Sequence, residues 1–226
     1  MSNKCFFDTI PKGGLIFLDA CALCLPHYLF YSKAGLKNYG HSWHEMPLPL
    51  VEETTARLSI LNTRLEEWDN WLTIPRVLEE IAQGNYKLLR TIKETPNDER
   101  RVLLLKLLSG RLRATETLEN LRANAKSPEN NTGDFYRKWR SSKKEIIPYF
   151  KRNGGKGSAR TDIDFIAANL AYAEDSPTYP FSMDRAIQKT LAELAITGNG
   201  DYQPMKIIDE QHKRIVDPVE YLEDPR

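Results

Sequence analysis

Acidic residues stand at several points where an acid could do chemistry. Asp19 follows the apolar run Leu15-Ile16-Phe17-Leu18, and Asp184 follows the apolar segment Tyr179 to Met183. A short apolar run after turn residues, here Pro11-Lys12-Gly13-Gly14, reads as a buried strand. Ligands of open α/β sheets bind outside the carboxyl ends of strands, so two acids at two such ends face one crevice. Glu79-Glu80 lies on a helix after Pro75, and Asp162 and Asp164 lie at the start of another. Carboxylates meeting at one spot repel each other unless a cation is present. Hard divalent ions take oxygen ligands, and such an ion activates water and offsets charge on a phosphodiester. Taken singly, each acid has a plainer role as a helix cap, a solvated charge or a partner of a helix dipole.

A second concentration is basic. From residue 137 to residue 160 there are nine Lys or Arg (Arg137, Lys138, Arg140, Lys143, Lys144, Lys151, Arg152, Lys156, Arg160) against the single acid Glu145. Phe135, Tyr136, Trp139, Tyr149 and Phe150 are interleaved with them. Lys and Arg meet phosphates and aromatic rings stack on bases, so the segment is a candidate nucleic-acid footprint, or a solvated helix face with core aromatics. Two other groupings carry less. Cys21-x-x-Cys24 with His27 lacks a second cysteine pair and falls in an apolar segment, so buried thiols are the better reading than zinc. Asn153-Gly-Gly-Lys-Gly-Ser158 lacks the spacing and preceding strand of a phosphate-binding loop.

The elements that must position these residues follow from periodicity. Strands are expected at Leu15–Leu18, Leu72–Ile74, Tyr179–Met183 and Met205–Ile208. Helices are expected over 22–30 with a break at Pro26, over 51–71, over 76–82 with a stop near Gly84, and over 85–94, 101–125, 162–172 and 184–196. Ser158 or Thr161 is the expected cap of the 162–172 helix, and the Gly-rich 153–158 stretch reads as flexible. Residues 31–49 and 126–133 read as loops. Strand–helix alternation with strands far apart in sequence gives an α/β fold with a short parallel sheet.

Composition bounds the rest. The chain has 226 residues, 41% hydrophobic and 28% charged, with net charge +1. At roughly 150 residues per domain this means one or two domains, with neither a disordered nor a disulfide-built chain indicated. Three cysteines read as thiols of a reducing cytoplasm. No uncharged apolar stretch reaches the roughly 18 residues of a membrane span, and Asp19 inside the Gly14 to Leu25 segment argues against a secretory signal.

Four pieces in order resemble one family. They are Leu15-Ile16-Phe17-Leu18-Asp19, Val77-Leu78-Glu79-Glu80-Ile81, Thr161-Asp162-Ile163-Asp164-Phe165-Ile166-Ala167 and Phe181-Ser182-Met183-Asp184. This sequence of motifs looks like the PIN domain (PilT N-terminus) nucleases. The resemblance implies a three-layer α/β/α PIN-like sandwich with a short parallel sheet and a Mg²⁺ or Mn²⁺ acidic centre. It implies a cytoplasmic metal-dependent nuclease, an endoribonuclease acting on RNA, with DNA as the other substrate of the family. The catalytic and metal-binding roles fall on Asp19, Glu80, Asp162 and Asp184, with Asp164 as a further metal ligand and Ser182 as a supporting hydroxyl. Ala20 stands where the family pattern has Ser or Thr. The long separation of Glu80 from Asp162 implies a nuclease domain of residues 1–84 and 158–226 around a helical, basic insertion of residues 85–157. The family also implies self-association and an inhibitory protein partner as expectations. The competing expectation is a PIN-like nucleic-acid-binding or assembly module without turnover. A phosphatase with Asp19 as nucleophile is set aside, because Cys21 occupies the place of its second Asp.

Overall fold

The structure, a computed structural model, describes residues 14–24, 42–124, 134–156, 159–174, 176–197, 205–209 and 214–223. It is mixed α/β and mostly helical, with a short three-stranded parallel sheet. The strands of that sheet are β1 (Leu15–Leu18), β2 (Trp71–Leu72) and β3 (Thr178–Phe181), in the order β2-β1-β3. β1 runs parallel to both neighbours, with Phe17 opposite Leu72 and Leu18 opposite Phe181. β4 (Ile207–Asp209) and β5 (Arg214–Val216) form a separate antiparallel pair. The Lys206 N–H, just before β4, donates to the Thr178 carbonyl of β3 at 3.1 Å.

The helices are α1 (Ser42–Glu45), α2 (Leu48–Glu67), α3 (Pro75–Glu94), α4 (Asp98–Asn124), α5 (Asp134–Arg152), α6 (Arg160–Ala173), α7 (Arg185–Thr197) and α8 (Pro218–Glu223). Residues 20–24 form a 3₁₀ turn. The remainder of the expected 22–30 helix, with His27 and the 126–133 loop, lies outside the described residues, and so does much of the expected 31–49 loop, of which residues 42–45 and 48–49 are helical.

The chain divides into two compact units. One holds residues 1–19, 70–76 and 122–226, and the other holds residues 20–69 and 77–121. This differs from the expected core of 1–84 and 158–226 around an insertion. The basic helix α5 belongs with the sheet, because its buried Ile146 and Phe150 share a core with α6 and α7. In that unit Phe17 of β1 meets Phe165 edge-on at 6.4 Å and Tyr172 at 5.1 Å, both from α6. The other unit is helical and built on Trp43, Met46, Leu58, Leu65, Ile81, Leu88, Leu104 and Leu107, all buried. Within it Arg100 donates to the carbonyls of Trp43 and Met46.

Three departures from the expected elements have local causes. α3 runs without interruption through Gly84. A Cβ there would lie 2.8 Å from the Arg111 guanidinium, which donates to Asn85 at 2.5 Å. Gly84 thus serves close approach of a buried arginine, not termination. The Gly-rich stretch after α5 is an ordered helix stop over residues 153–156. Gly154 has φ +89°, its N–H donates to Lys151 O, and Gly155 N–H donates to Phe150 O at 2.8 Å. Those two bonds are the Schellman pattern, which needs a residue with positive φ. Finally, α6 starts at Arg160 without a side-chain cap, so Thr161 does not cap it and Asp162 falls inside its first turn; Ser158 lies outside the described residues.

Burial raises the ionisation of Tyr172 from 10.0 to about 12, and it does the same for Tyr221, where Asp209 adds to the effect. A raised pKa favours the neutral phenol in the folded state. Its stabilising contribution is whole below pH 10 and is lost as pH rises through about 12. A near-ultraviolet tyrosinate titration should therefore show these two phenols among the late ones, converting together with alkaline unfolding. Ionisation of every tyrosine near pH 10 in the folded chain would contradict this packing.

Candidate functional site

The carboxyl edge of the parallel sheet is where acids and hydroxyls gather. Leu18 ends β1 opposite Phe181, and the Asp19 N–H extends the ladder by donating to Phe181 O at 3.0 Å. That register sets Asp19 beside Ser182. Ser182 Oγ donates to Asp19 Oδ2 at 2.7 Å and accepts from the Asp184 N–H at 3.1 Å. Asp19 is 6% exposed and Ser182 is fully buried. A buried carboxylate needs such donors, since its charge is otherwise poorly solvated.

Asp184 is the N-terminal cap of α7. Its Oδ1 accepts the N–H groups of Ala186 at 2.7 Å and Ile187 at 3.4 Å, and its carbonyl accepts from Gln188 N–H. One hydroxyl therefore joins two acids that lie 165 positions apart in the chain (184 − 19). Beneath them, the Gln188 amide donates to Ser182 O at 2.6 Å and Ile208 O at 3.1 Å, while the Tyr221 hydroxyl donates to Gln188 Oε1 at 2.7 Å. On the other side of β1, Thr73 Oγ1 donates to Leu18 O at 2.8 Å, a buried bond just past the end of β2.

The remaining expected residues lie on helices α3 and α6. Asp162 is half-buried in the first turn of α6. Glu80 is exposed on α3 and belongs to the other unit. Asp164 is buried, but its two oxygens face cations: Arg76 Nε lies 2.9 Å from Oδ2 and Lys143 Nζ lies 2.5 Å from Oδ1. A carboxylate matched in this way acts as a counter-ion to both helices. Among the described residues, no group of three or more His, Cys, Asp or Glu side chains is placed to hold a metal ion. The Ser182 hydroxyl touches the Asp19 carboxylate and the Asp184 backbone N–H, and the two carboxylates are hard donors of the type that an ion of the Mg²⁺ kind takes. Such ions use one or two protein carboxylates and complete their shell with water and substrate phosphate.

The basic segment divides by role. Lys143 is held by Asp164, and Arg152 pairs with Glu193 of α7 at 2.7 Å while lying 4.7 Å over the Tyr149 ring. Both serve the packing of α5. Phe150 is 1% exposed and is core, not a stacking platform. Arg140, Lys144 and Lys151 are exposed and fall within about 40° of each other around the helix. Lys156 and Arg160 are exposed beyond the end of α5. The side chains of Arg137 and Lys138, like those of Phe135, Tyr136 and Trp139, lie outside the described set.

Sequence reasoning missed Thr73, Arg76, Gln188 and Asp209. Arg76 left a signal: a cation in the first turn of a helix opposes the dipole and calls for a nearby acid. Asp209 ends β4, is buried, and pairs with Arg214 at 3.0 Å. No protein-family model, curated protein sequence or solved structure matches this chain. Among the described residues no helix is long and apolar enough to cross a membrane.

Ser182→Ala would remove a charge-assisted donor from a buried carboxylate, with an expected cost of about 1.5–3 kcal/mol. Urea unfolding of the variant measures it; a change below about 0.5 kcal/mol, the range of ordinary surface substitutions, would show that the bond contributes nothing.

Proposed function

We propose that the chain is a metal-dependent nuclease of the PIN kind, hydrolysing RNA phosphodiesters at the carboxyl edge of its parallel sheet. The observation that carries this reading is the Ser182 hydroxyl, which links the Asp19 carboxylate to the Asp184 backbone N–H just past the ends of neighbouring strands. The order β2-β1-β3, with the β4 segment bonded to β3, supports a PIN-like sandwich.

In this reading Asp19 and Asp184 hold Mg²⁺ or Mn²⁺, and Asp162 completes the acidic side. Glu80 keeps only its motif position as support. Bound there, the ion would supply water activation and charge compensation on the phosphodiester. Ser182 fixes the orientation of Asp19, and the capping bonds fix Asp184, so neither carboxylate must reorganise when substrate arrives. Arg140, Lys144, Lys151, Lys156 and Arg160 hold the strand through its phosphates, which makes binding salt-dependent.

A PIN-like binding module without turnover is the second reading. The pairing of Asp164 with two cations favours it, because one of the expected acids is thereby withdrawn from the centre. The two readings part in one assay. Cleavage of a mixed RNA pool by the full chain with Mn²⁺ is expected, with at least about a 100-fold loss in Asp19→Asn and in Asp184→Asn, equivalent to about 2.7 kcal/mol of barrier. Salt-sensitive RNA binding without Mn²⁺-dependent cleavage would leave the binding module. Cleavage unaffected by both substitutions would remove the acidic centre from the account.

A further inference from the structure

Helix α4 is apolar on more than one side. Leu104, Leu107, Ala114 and Leu118 are buried in the helical unit, whereas Val102, Leu105 and Leu112 are 50%, 46% and 52% exposed. At about 100° and about 1.5 Å per residue, Leu105 and Leu112 lie about 20° apart around the helix and two turns apart along it. Apolar residues in that relation on a helix surface form a seam for a second helix.

The charges beside the seam are ordered. Arg101 precedes Leu105 by four residues, and Glu116 follows Leu112 by four. All four residues are exposed, and they fall within a sector of about 60°. The spacing is symmetric about a point between Leu108 and Ser109. A half-turn about that point brings the stripe onto itself with each leucine facing the other and each charge facing its opposite. Leu105 then meets Leu112 twice, and Arg101 meets Glu116 twice. A surface on which residue i meets j while j meets i is what an isologous contact around a twofold axis requires. The exposed Ser109 is small, which suits the centre of such a contact, where the two helix backbones approach most closely. Parallel pairing would instead set Arg101 against Arg101 and Glu116 against Glu116, so the charges select the antiparallel arrangement. Within its own chain Arg101 pairs with Asp98 in the preceding turn, an exposed pair of small worth. Its guanidinium has five donors and serves a second carboxylate without losing the first.

We propose that this face of α4 is a self-association surface, on which a second copy of the chain docks antiparallel through Arg101, Leu105, Leu112 and Glu116. The proposal goes beyond the nuclease reading and does not depend on it. One pair of helices is a small interface, so the dimer forms and dissociates in the micromolar range.

Sedimentation velocity of the full chain, without metal or nucleic acid, tests it. As the concentration rises from low to high micromolar, the wild-type chain should pass from the mass of one chain to that of two. Arg101→Glu sets two pairs of acids against each other across the axis, and Glu116→Arg sets two pairs of arginines. Each variant alone should dimerise at least about 10-fold more weakly. Mixed in equal amounts, the two variants should regain the dimer, because each pair then joins opposite signs. A merely structural effect of either substitution would lower the thermal midpoint and would not be reversed by mixing. The proposal is overturned if the wild-type chain stays single at every concentration. It is equally overturned if its dimer is indifferent to both reversals, or if the mixture stays as weak as its components.

Discussion

A carboxylate buried at the end of a central strand is unstable unless its charge is met at once by fixed donors. Asp19 is in that position, and the Ser182 hydroxyl meets it. The bond requires β3 to run parallel to β1 in one register, with Leu18 opposite Phe181. A slip of one residue would turn the side chains of a strand to the opposite face and separate the pair. The hydroxyl also receives the Asp184 N–H, so the start of α7 depends on the same register. Gln188, one turn into α7, fastens Ser182 O and Ile208 O together and joins the β4 segment to the same point.

Charge is handled differently one helix away. Asp164 is as buried as Asp19, yet it is met by full cations. A neutral donor leaves a carboxylate negative and able to attract a cation. Two cations on one carboxylate hold it as a counter-ion. The two buried acids of this unit are thus held by different means, one by a strand register and the other by cations from two helices. Helix α5 brings Lys143 to Asp164 from one face and presents Arg140, Lys144 and Lys151 on another.

Much of the element plan was legible from the chain. The strands at Leu15–Leu18 and around Tyr179, and the helices near 51–67, 101–124, 162–172 and 185–196, emerge with boundary shifts of a few residues. Apolar periodicity reports burial, and burial dominates in elements of that length. Gly84 and Gly154 show the limit of local rules. The same residue type sits inside one helix because an arginine approaches it and ends another because φ is positive.

By itself the sequence determined the short parallel strands, the acids at their ends and the basic helix, because apolar run length, turn residues and charge density are local properties of a chain. Only the tertiary structure decided which acid meets which partner. Asp19 and Asp164 are equally acidic in sequence, and what separates them is that one lies across a strand register from a serine while the other lies where α3 and α5 each bring a cation. Electrostatic interactions act over a few ångströms between groups distant in the chain, so the sign of a site follows from packing and not from composition.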